Sequence, residues 1–295
     1  MTNDKARALT EQIESSVNAL AAETDAVRKS ETFLCWLNAM AKFSSYSFNN
    51  QLLISLQRPS ACRIAGFQTW KKLGRHVKKG AKGIAILAPC VYRKKVEEDD
   101  ADSLTVKRLG GFKTCWVFAQ EDTEGEPIPT LTTGAAGGGE ELLPRLEAAA
   151  PKLNVVLDYE EITQHGVEGY STGGRIVIRQ SLSTVSKCGV IVHELAHEDL
   201  HQGDNRREAK SKTKSQRELE AEATAYVVMR HFGIEHVASN YLATYNVDGE
   251  QLRDSLQTIS GVAKRLIAAI EADSVNTEAD ETVASGEVED ALAPA

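Results

Sequence analysis

Residues 124–141 read EGEPIPTLTTGAAGGGEE. Gly, Pro and Thr crowd this stretch, and a segment with so few large apolar side chains cannot lie inside a core. It divides the 295 residues unevenly in composition, because all three tryptophans and six of the seven phenylalanines stand before it. Two domains are therefore expected rather than one large one, each long enough to bury a core. The expected bounds are a first domain at 1–128, a linker at 129–141, and a second domain at 142–272.

Charge divides the chain in the same place. The net charge of -8 conceals 19 Lys/Arg against 15 Asp/Glu in residues 1–128, and 15 against 27 in the remainder. Residues 32–96 hold 12 Lys/Arg and no Asp or Glu at all. A merely solvated surface mixes both signs. Excluding acids over such a length favours a face that binds a polyanion.

Several classes are excluded early. No apolar run approaches the roughly 18–20 residues of a membrane span. The start MTNDKARALTEQIESSVNALAAETDAV has no cationic opening followed by an apolar block, so no secretory signal is expected. The five cysteines, at 35, 62, 90, 115 and 188, are scattered and form no CxxC pair. Reduced thiols and a cytoplasmic location fit this best.

Periodicity gives the coarse elements. Leu9, Ile13, Val17 and Leu20 mark an amphipathic helix over 5–28. ETFLCWLNAMAKF reads as a second helix with Ser30 as N-cap, and NNQLLISLQ as a third. CRIAGF, GIAILAPCVYR, SLTVKRL and FKTCWVFAQ read as strands, with the acidic EEDDAD at 97–102 as an exposed loop. Beyond the linker come a short helix at EELLPRLEAAAP and strands at NVVLDY and GRIVIRQ. Three helices follow: one over STVSKCGVIVHELAHEDLHQG, capped by Ser183 or Thr184 and closed by Gly203, one over QRELEAEATAYVVMRHFG, closed by Gly233, and a long last one over DGEQLRDSLQTISGVAKRLIAAIEA. The acidic tail at 273–295 has almost no large apolar groups and is expected to be disordered.

The first of these three helices carries the chemistry. His193, Glu194, His197 and His201 lie close together in a chain with only seven histidines. Positions i and i+4 share a helix face, so His193 and His197 can aim at one ion. Glu194 sits beside that face, where a carboxylate can act as general base toward water activated by the ion. An amphipathic helix with two surface histidines would show the same letters. The preceding CGVIV, however, makes those turns apolar, and a buried histidine pair without a ligand is costly. The HExxH pattern thus points to a metal, Zn2+ or another divalent ion such as Mn2+. His201, Glu218, Glu220 and Glu222 are the candidates for a third ligand. Glu218 and Glu222 share one helix face and Glu220 points with Thr224; periodicity alone does not choose among them.

HELAH followed by LEAEATAYVV resembles the ImmA/IrrE family of gluzincin-like zinc metallopeptidases, over roughly residues 150–235. The resemblance implies Glu220 as third ligand, with Ala223 on the family alanine, Tyr226 in place of its aromatic and Thr224 where the family has Asn. Glu222 is the reserve ligand. It also implies that GRIVIRQ is the edge strand on which an extended peptide aligns.

YSFNNQLLISLQRPSACRIAGFQTWKKLGRHVKKGAKGIAILAP, residues 46–89, resembles the N-terminal domain of ArdC-type antirestriction proteins, and EGEPIP at 124–129 looks like its end. That family joins a single-stranded-DNA-binding domain to a metallopeptidase domain and opposes host restriction on behalf of conjugative plasmids. The residues support this on their own terms, since single-strand binders combine cationic grooves with aromatic platforms. Tyr46, Trp70, Lys71, Lys72, Arg75, Lys78, Lys79 and Lys82 are the candidate DNA contacts. The expected architecture is α+β with two domains: a mixed helix and antiparallel-strand single-stranded-DNA-binding domain, then a gluzincin-like metallopeptidase domain built on the HExxH helix. The expected partners are single-stranded DNA and a host protein as peptide substrate, with no membrane. A nucleobase deaminase is disfavoured because the PCxxC it needs is absent.

Overall fold

The computed structural model describes residues 2–96, 104–127, 139–201, 212–236 and 247–272. The loop expected at 97–102, most of the linker, Gly203 and the tail from 273 lie outside the described residues. The described residues form a mixed helix and antiparallel-strand structure gathered into two compact units. One unit comprises the described residues of Met1–Ser16 and Leu52–Ile128, the other those of Val17–Gln51 and Pro129–Val283.

The first unit is built on a three-stranded antiparallel sheet. Its strands are β1 (Ile64–Gly66), β3 (Ile84–Val96) and β4 (Leu104–Ala119), in the order β1-β4-β3. A second small sheet pairs β2 (Arg75–Val77) with β5 (Thr123–Gly125). Helix α1 (Thr2–Ala22) contributes the buried Ala6 and Ile13 to this unit, and helix α3 (Phe48–Gln57) contributes Leu52, Leu53 and Ile54, none of them exposed. The side chain of Gln57 extends the edge strand β3, accepting from Ala85 N at 2.9 Å and donating to Ala85 O at 2.8 Å. In this way a side-chain amide satisfies backbone groups that an edge would leave open. The expected strand CRIAGF is shorter in the structure. It ends at Gly66, and Phe67–Lys72 form a short helix, α4. The helical turn carries Trp70 inward, where its Nε1 donates to Phe118 O at 2.9 Å.

The second unit is a helical layer beside a small mixed sheet. Helix α2 (Ala26–Lys42) starts earlier than Ser30: Asp25 is the N-cap, accepting from Val27 N and Arg28 N at 3.0 Å each. After α5 (Leu142–Lys152), Asn154 takes φ 59°, a left-handed value that asparagine tolerates just past a helix end. Strands β6 (Val156–Glu160), β7 (Gly169–Ser171) and β8 (Arg175–Arg179) then form a sheet in the order β6-β8-β7. GRIVIRQ is therefore not the edge strand expected from the family pattern. β8 lies in the middle, parallel to β6 and antiparallel to β7. The physical reason is visible in the sequence: Ile176, Val177 and Ile178 are consecutive and all are fully buried, as suits a strand covered on both faces. The short Gly169–Ser171 strand is an edge that sequence patterning did not reveal.

Three helices complete the unit: α6 (Thr184–His201), α7 (Lys214–His231) and α8 (Gly249–Glu271). Ser183 caps α6, its Oγ accepting from Ser186 N at 3.2 Å. A capping box closes the start of α7, with Thr213 and Gln216 each accepting from the other's backbone N–H. α7 packs against α2, α6 and α8. Its Ala221, Ala223 and Ala225 are buried small residues that let the neighbouring helices approach, and this places its glutamates against the HExxH segment.

Candidate functional site

α6 buries Cys188, Ile191, Val192, Leu195 and Ala196, and this fixes the opposite side of the same turns as the one bearing His193 and His197. The two Nε2 atoms stand 3.0 Å apart. Glu218 of α7 brings Oε2 to 3.8 Å from His193 Nε2 and 3.6 Å from His197 Nε2. These three side chains are the cluster among the described residues whose ligand atoms converge as a metal site requires. A tetrahedral ion with bonds of about 2.0–2.2 Å has ligand–ligand edges of roughly 3.3–3.6 Å. The observed separations bracket that span, so the three residues fit a divalent ion.

The surroundings fit it too. His193 turns its Nδ1 to Glu222 Oε2 at 3.2 Å, which leaves Nε2 facing the cluster. Burial alone would raise the Glu222 carboxyl, but contacts from His193 and His236 prevail and hold it at about 2. Burial would likewise lower His193, yet the Glu222 hydrogen bond and the charges of Glu194, Glu222 and Glu218 move it upward. A cation placed among these carboxylates would relieve their mutual repulsion. Glu194 is pushed up, chiefly by burial and further by Glu218 and Glu198 against the pull of His193. A carboxyl raised in this way is better matched to proton transfer near neutral pH.

Glu220 is not brought to this cluster. It is fully buried on another side of α7, where Lys212 Nζ donates to its two oxygens at 2.7 and 2.9 Å and Ser255 Oγ donates at 2.9 Å. The reason is helical phase: positions 218 and 222 are one turn apart, and 220 lies between them, rotated away. The side chain of His201 lies outside the described residues.

Two residues that the sequence reading passed over shape the site. Glu198, next to His197, accepts from Gly173 N and Gly174 N at 2.9 Å each and from Ser171 Oγ. It thereby ties the β7–β8 turn to α6. His236 brings Nε2 to 3.5 Å from Glu222 Oε1, and its ring lies against Gly189 of α6, where an added Cβ would be 3.2 Å from His236 Cε1. The paired glycines of STGG were the only sequence signal for the first, and nothing in the sequence signalled the second.

The candidate DNA contacts separate by burial. Lys71, Lys72, Lys78, Lys79 and Lys82 are exposed, although Lys78 Nζ also donates to Glu121 O at 2.9 Å. Trp70 is 2% exposed and belongs to the core, so it offers no stacking surface. Arg75 is buried, and its guanidinium is spent on Thr123 Oγ1 at 2.8 Å, Thr123 O at 3.0 Å and Glu126 O at 2.5 Å. Tyr46 belongs to the second unit and packs edge-on against Phe43 at 6.4 Å, with burial raising its hydroxyl. The exposed aromatics of the first unit are instead Phe67, Tyr92, Phe112 and Trp116.

Comparison with known proteins identifies the domain classes. Residues 3–126 match the family model for the N-terminal domain of anti-restriction factor ArdC, and residues 150–262 match the IrrE N-terminal-like domain of the M78 peptidases. The chain thus joins an ArdC N-terminal-type domain to a peptidase-like domain. An uncharacterized protein of Bacillus anthracis is 28% identical over 275 residues, covering 79% of this chain. The chain spans 46% of that relative's own length. Among solved structures, it is similar to the metal-free crystal structure of antirestriction protein ArdC from R388 plasmid at 16% identity and TM-score 0.49, covering 77% of this chain and 86% of the other. The Mn(II)-bound structure of that protein gives 16% identity and TM-score 0.44, covering 79% and 90%.

Proposed function

We propose that the chain is an ArdC-type antirestriction protein. Its first unit binds single-stranded DNA, its second is a metallopeptidase with Zn2+ as the resident ion, and together they protect incoming plasmid DNA from host restriction in the cytoplasm. The observation that carries the peptidase reading is the convergence of His193, His197 and Glu218 beside a raised Glu194. The order of the two family matches supports the pairing of functions.

His193, His197 and Glu218 would hold the ion. Bound there, it would polarise a peptide carbonyl and lower the pKa of a bound water. Glu194 takes the proton of the attacking water and returns it to the leaving amine nitrogen. Glu222 fixes the His193 ring so that Nε2 faces the ion. β7 is one of the two outer strands of its sheet among the described residues and packs against α6, so an extended segment of a host protein can pair along it beside that helix.

Metal content and cleavage test this in the full-length protein. Elemental analysis after purification with Zn2+ present is expected to find one ion per chain, and none in His197→Ala. A wild-type chain that takes up no divalent ion at neutral pH sinks the peptidase half. A chain that fails to retain single-stranded oligonucleotide at low salt sinks the DNA half.

A further inference from the structure

We propose that the exposed aromatic face of β4 is the platform on which unpaired bases stack, with Trp116 and Phe112 as the stacking rings. The proposal rests on the single-stranded-DNA reading above and names side chains that would perform it. Trp116 is 45% and Phe112 48% exposed. Trp116 pairs with Ala85, Thr114 with Leu87 and Phe112 with Pro89, so the three β4 residues alternate onto one face of the sheet. Thr114 and Leu87 between them are buried, so the two rings are the exposed large side chains of β4 on this face, one on either side of a covered stretch. Their backbone positions stand roughly 13 Å apart along the strand, four residues at about 3.3 Å each.

The ground beside Trp116 is built for close approach. An added Cβ on Gly83 would lie 2.9 Å from Trp116 Cδ1, 3.1 Å from Trp116 Cβ and 3.3 Å from Phe118 Cε1. Only glycine lets the indole lie down at that point. Gly83 directly follows the exposed Lys82 and closes the basic turn KKGAKG at 78–83. Lys5 Nζ stands 5.6 Å from the Trp116 ring centroid. Exposed rings bordered by cations match an occupant with flat apolar faces and a polyanionic backbone. Unpaired bases meet that description; duplex DNA hides the same faces in its own stack.

The three tryptophans make the test specific. Trp36 and Trp70 are 3% and 2% exposed, so a ligand that touches indole must touch Trp116. The probe is oligothymidylate of about 12 nucleotides, a length within the usual site sizes, with full-length protein at low salt. Binding is expected to quench tryptophan fluorescence. Trp116→Phe should keep the affinity within about threefold and abolish the quench, because a phenyl ring still stacks. Trp116→Ala should weaken binding about tenfold, and Trp116→Ala with Phe112→Ala further, while a duplex of equal length loses nothing comparable. Gly83→Ala should act like Trp116→Ala by displacing the ring. If the double variant binds oligothymidylate as the wild type does, or if Trp116→Phe retains the quench, the platform is overturned and the single-stranded-DNA reading stands. Equal losses for duplex and single strand overturn it also. If the wild type binds no oligothymidylate, both fall together.

Discussion

His193 Nδ1 lies 3.2 Å from Glu222, one helical turn beyond the Glu218 that faces both histidine Nε2 atoms. Two carboxylates on one face of α7 thus take different positions, one toward the two histidine Nε2 atoms and one behind the His193 ring. Glu218→Ala is expected to abolish metal binding. Glu222→Ala should lower affinity by about 10–100-fold without abolishing it, as losses behind a ligand do. Titration with Zn2+ against a chelator reads both. A Glu218→Ala protein with wild-type affinity would remove that residue from the ligand set.

Glu220→Ala should behave differently from either. Its carboxylate is fully buried against the half-buried Lys212 and the buried Ser255, so the substitution removes a buried acceptor and its hydrogen bonds to both. We expect an unchanged metal stoichiometry and a stability loss of roughly 1–3 kcal/mol. Denaturant unfolding of the metal-free protein, beside elemental analysis of the loaded one, separates the two effects. Loss of metal with full stability would restore Glu220 as a ligand.

On the proposed role, in which the residue handles a proton and not the ion, Glu194→Ala should keep both metal and fold while slowing peptide cleavage by about 10²–10⁴-fold. Single-stranded DNA binding should be unaffected. If antirestriction survives this substitution, a DNA shield without proteolysis accounts for the function better.

The residues that sequence reading placed well are those whose role follows from local spacing. His193, Glu194 and His197 lie on one helix because i and i+4 dictate it, and in the apolar CGVIV before them all but the half-buried Val190 are buried. What escaped depends on how elements meet. Family spacing pointed to Glu220, yet the phase of α7 against α6 turns Glu218 and Glu222 toward the histidines. Trp70 sits among lysines in sequence but inside the core in space, because α4 turns it toward Phe118. Trp116 shows the converse: its strand was legible, its outward face was not. The sequence reading also set the domain break at the linker, whereas Val17–Gln51 are gathered with the second unit. The packing of α2 against α7 is a long-range contact that composition does not report.

A pH response should come from the end of α7. His231 donates through Nδ1 to Ala41 O at 2.8 Å and meets Glu271 Oε1 through Nε2 at 2.9 Å. Burial alone would lower His231, but Glu271 and the Ala41 carbonyl raise it above 6.5. The hydrogen bond from His231 holds Glu271 below 4.5 despite its partial burial. A raised histidine stabilises fully below its unfolded value and loses that contribution as pH climbs through the folded one. A lowered carboxyl stabilises above its unfolded value and loses that contribution as pH falls through the folded one. The pair therefore contributes most between about pH 4.5 and 6.5. Wild-type Tm should fall more than that of His231→Gln between about pH 6 and pH 8. Parallel curves for the two proteins would show that the pair does not act.

Glu198→Ala should loosen the edge strand without touching the ligands. The carboxylate accepts from Ser171 and from two turn amides. We expect a stability loss of roughly 1–3 kcal/mol, unchanged metal content and faster amide exchange at Gly173 and Gly174. Unaltered exchange at these two amides would show that the turn is held by other contacts.

Lysines proposed to meet DNA should behave differently from an arginine that holds the fold. Lys71, Lys72, Lys79 and Lys82 are exposed, and residues 32–96 of the sequence contain no Asp or Glu. Changing these four to Glu should weaken oligothymidylate binding strongly and flatten its dependence on salt, since fewer counterions are then released per protein bound. Zinc uptake should not change, because the ion site lies in the other unit. Arg75→Ala should instead destabilise the first unit, since the guanidinium bonds Thr123 and Glu126 across the β2–β5 pair. Its binding, measured on the fraction that stays folded, should keep the wild-type salt slope. A lysine variant with the wild-type slope, or a stable Arg75→Ala protein with a reduced one, would reverse the assignment and place Arg75 against phosphate.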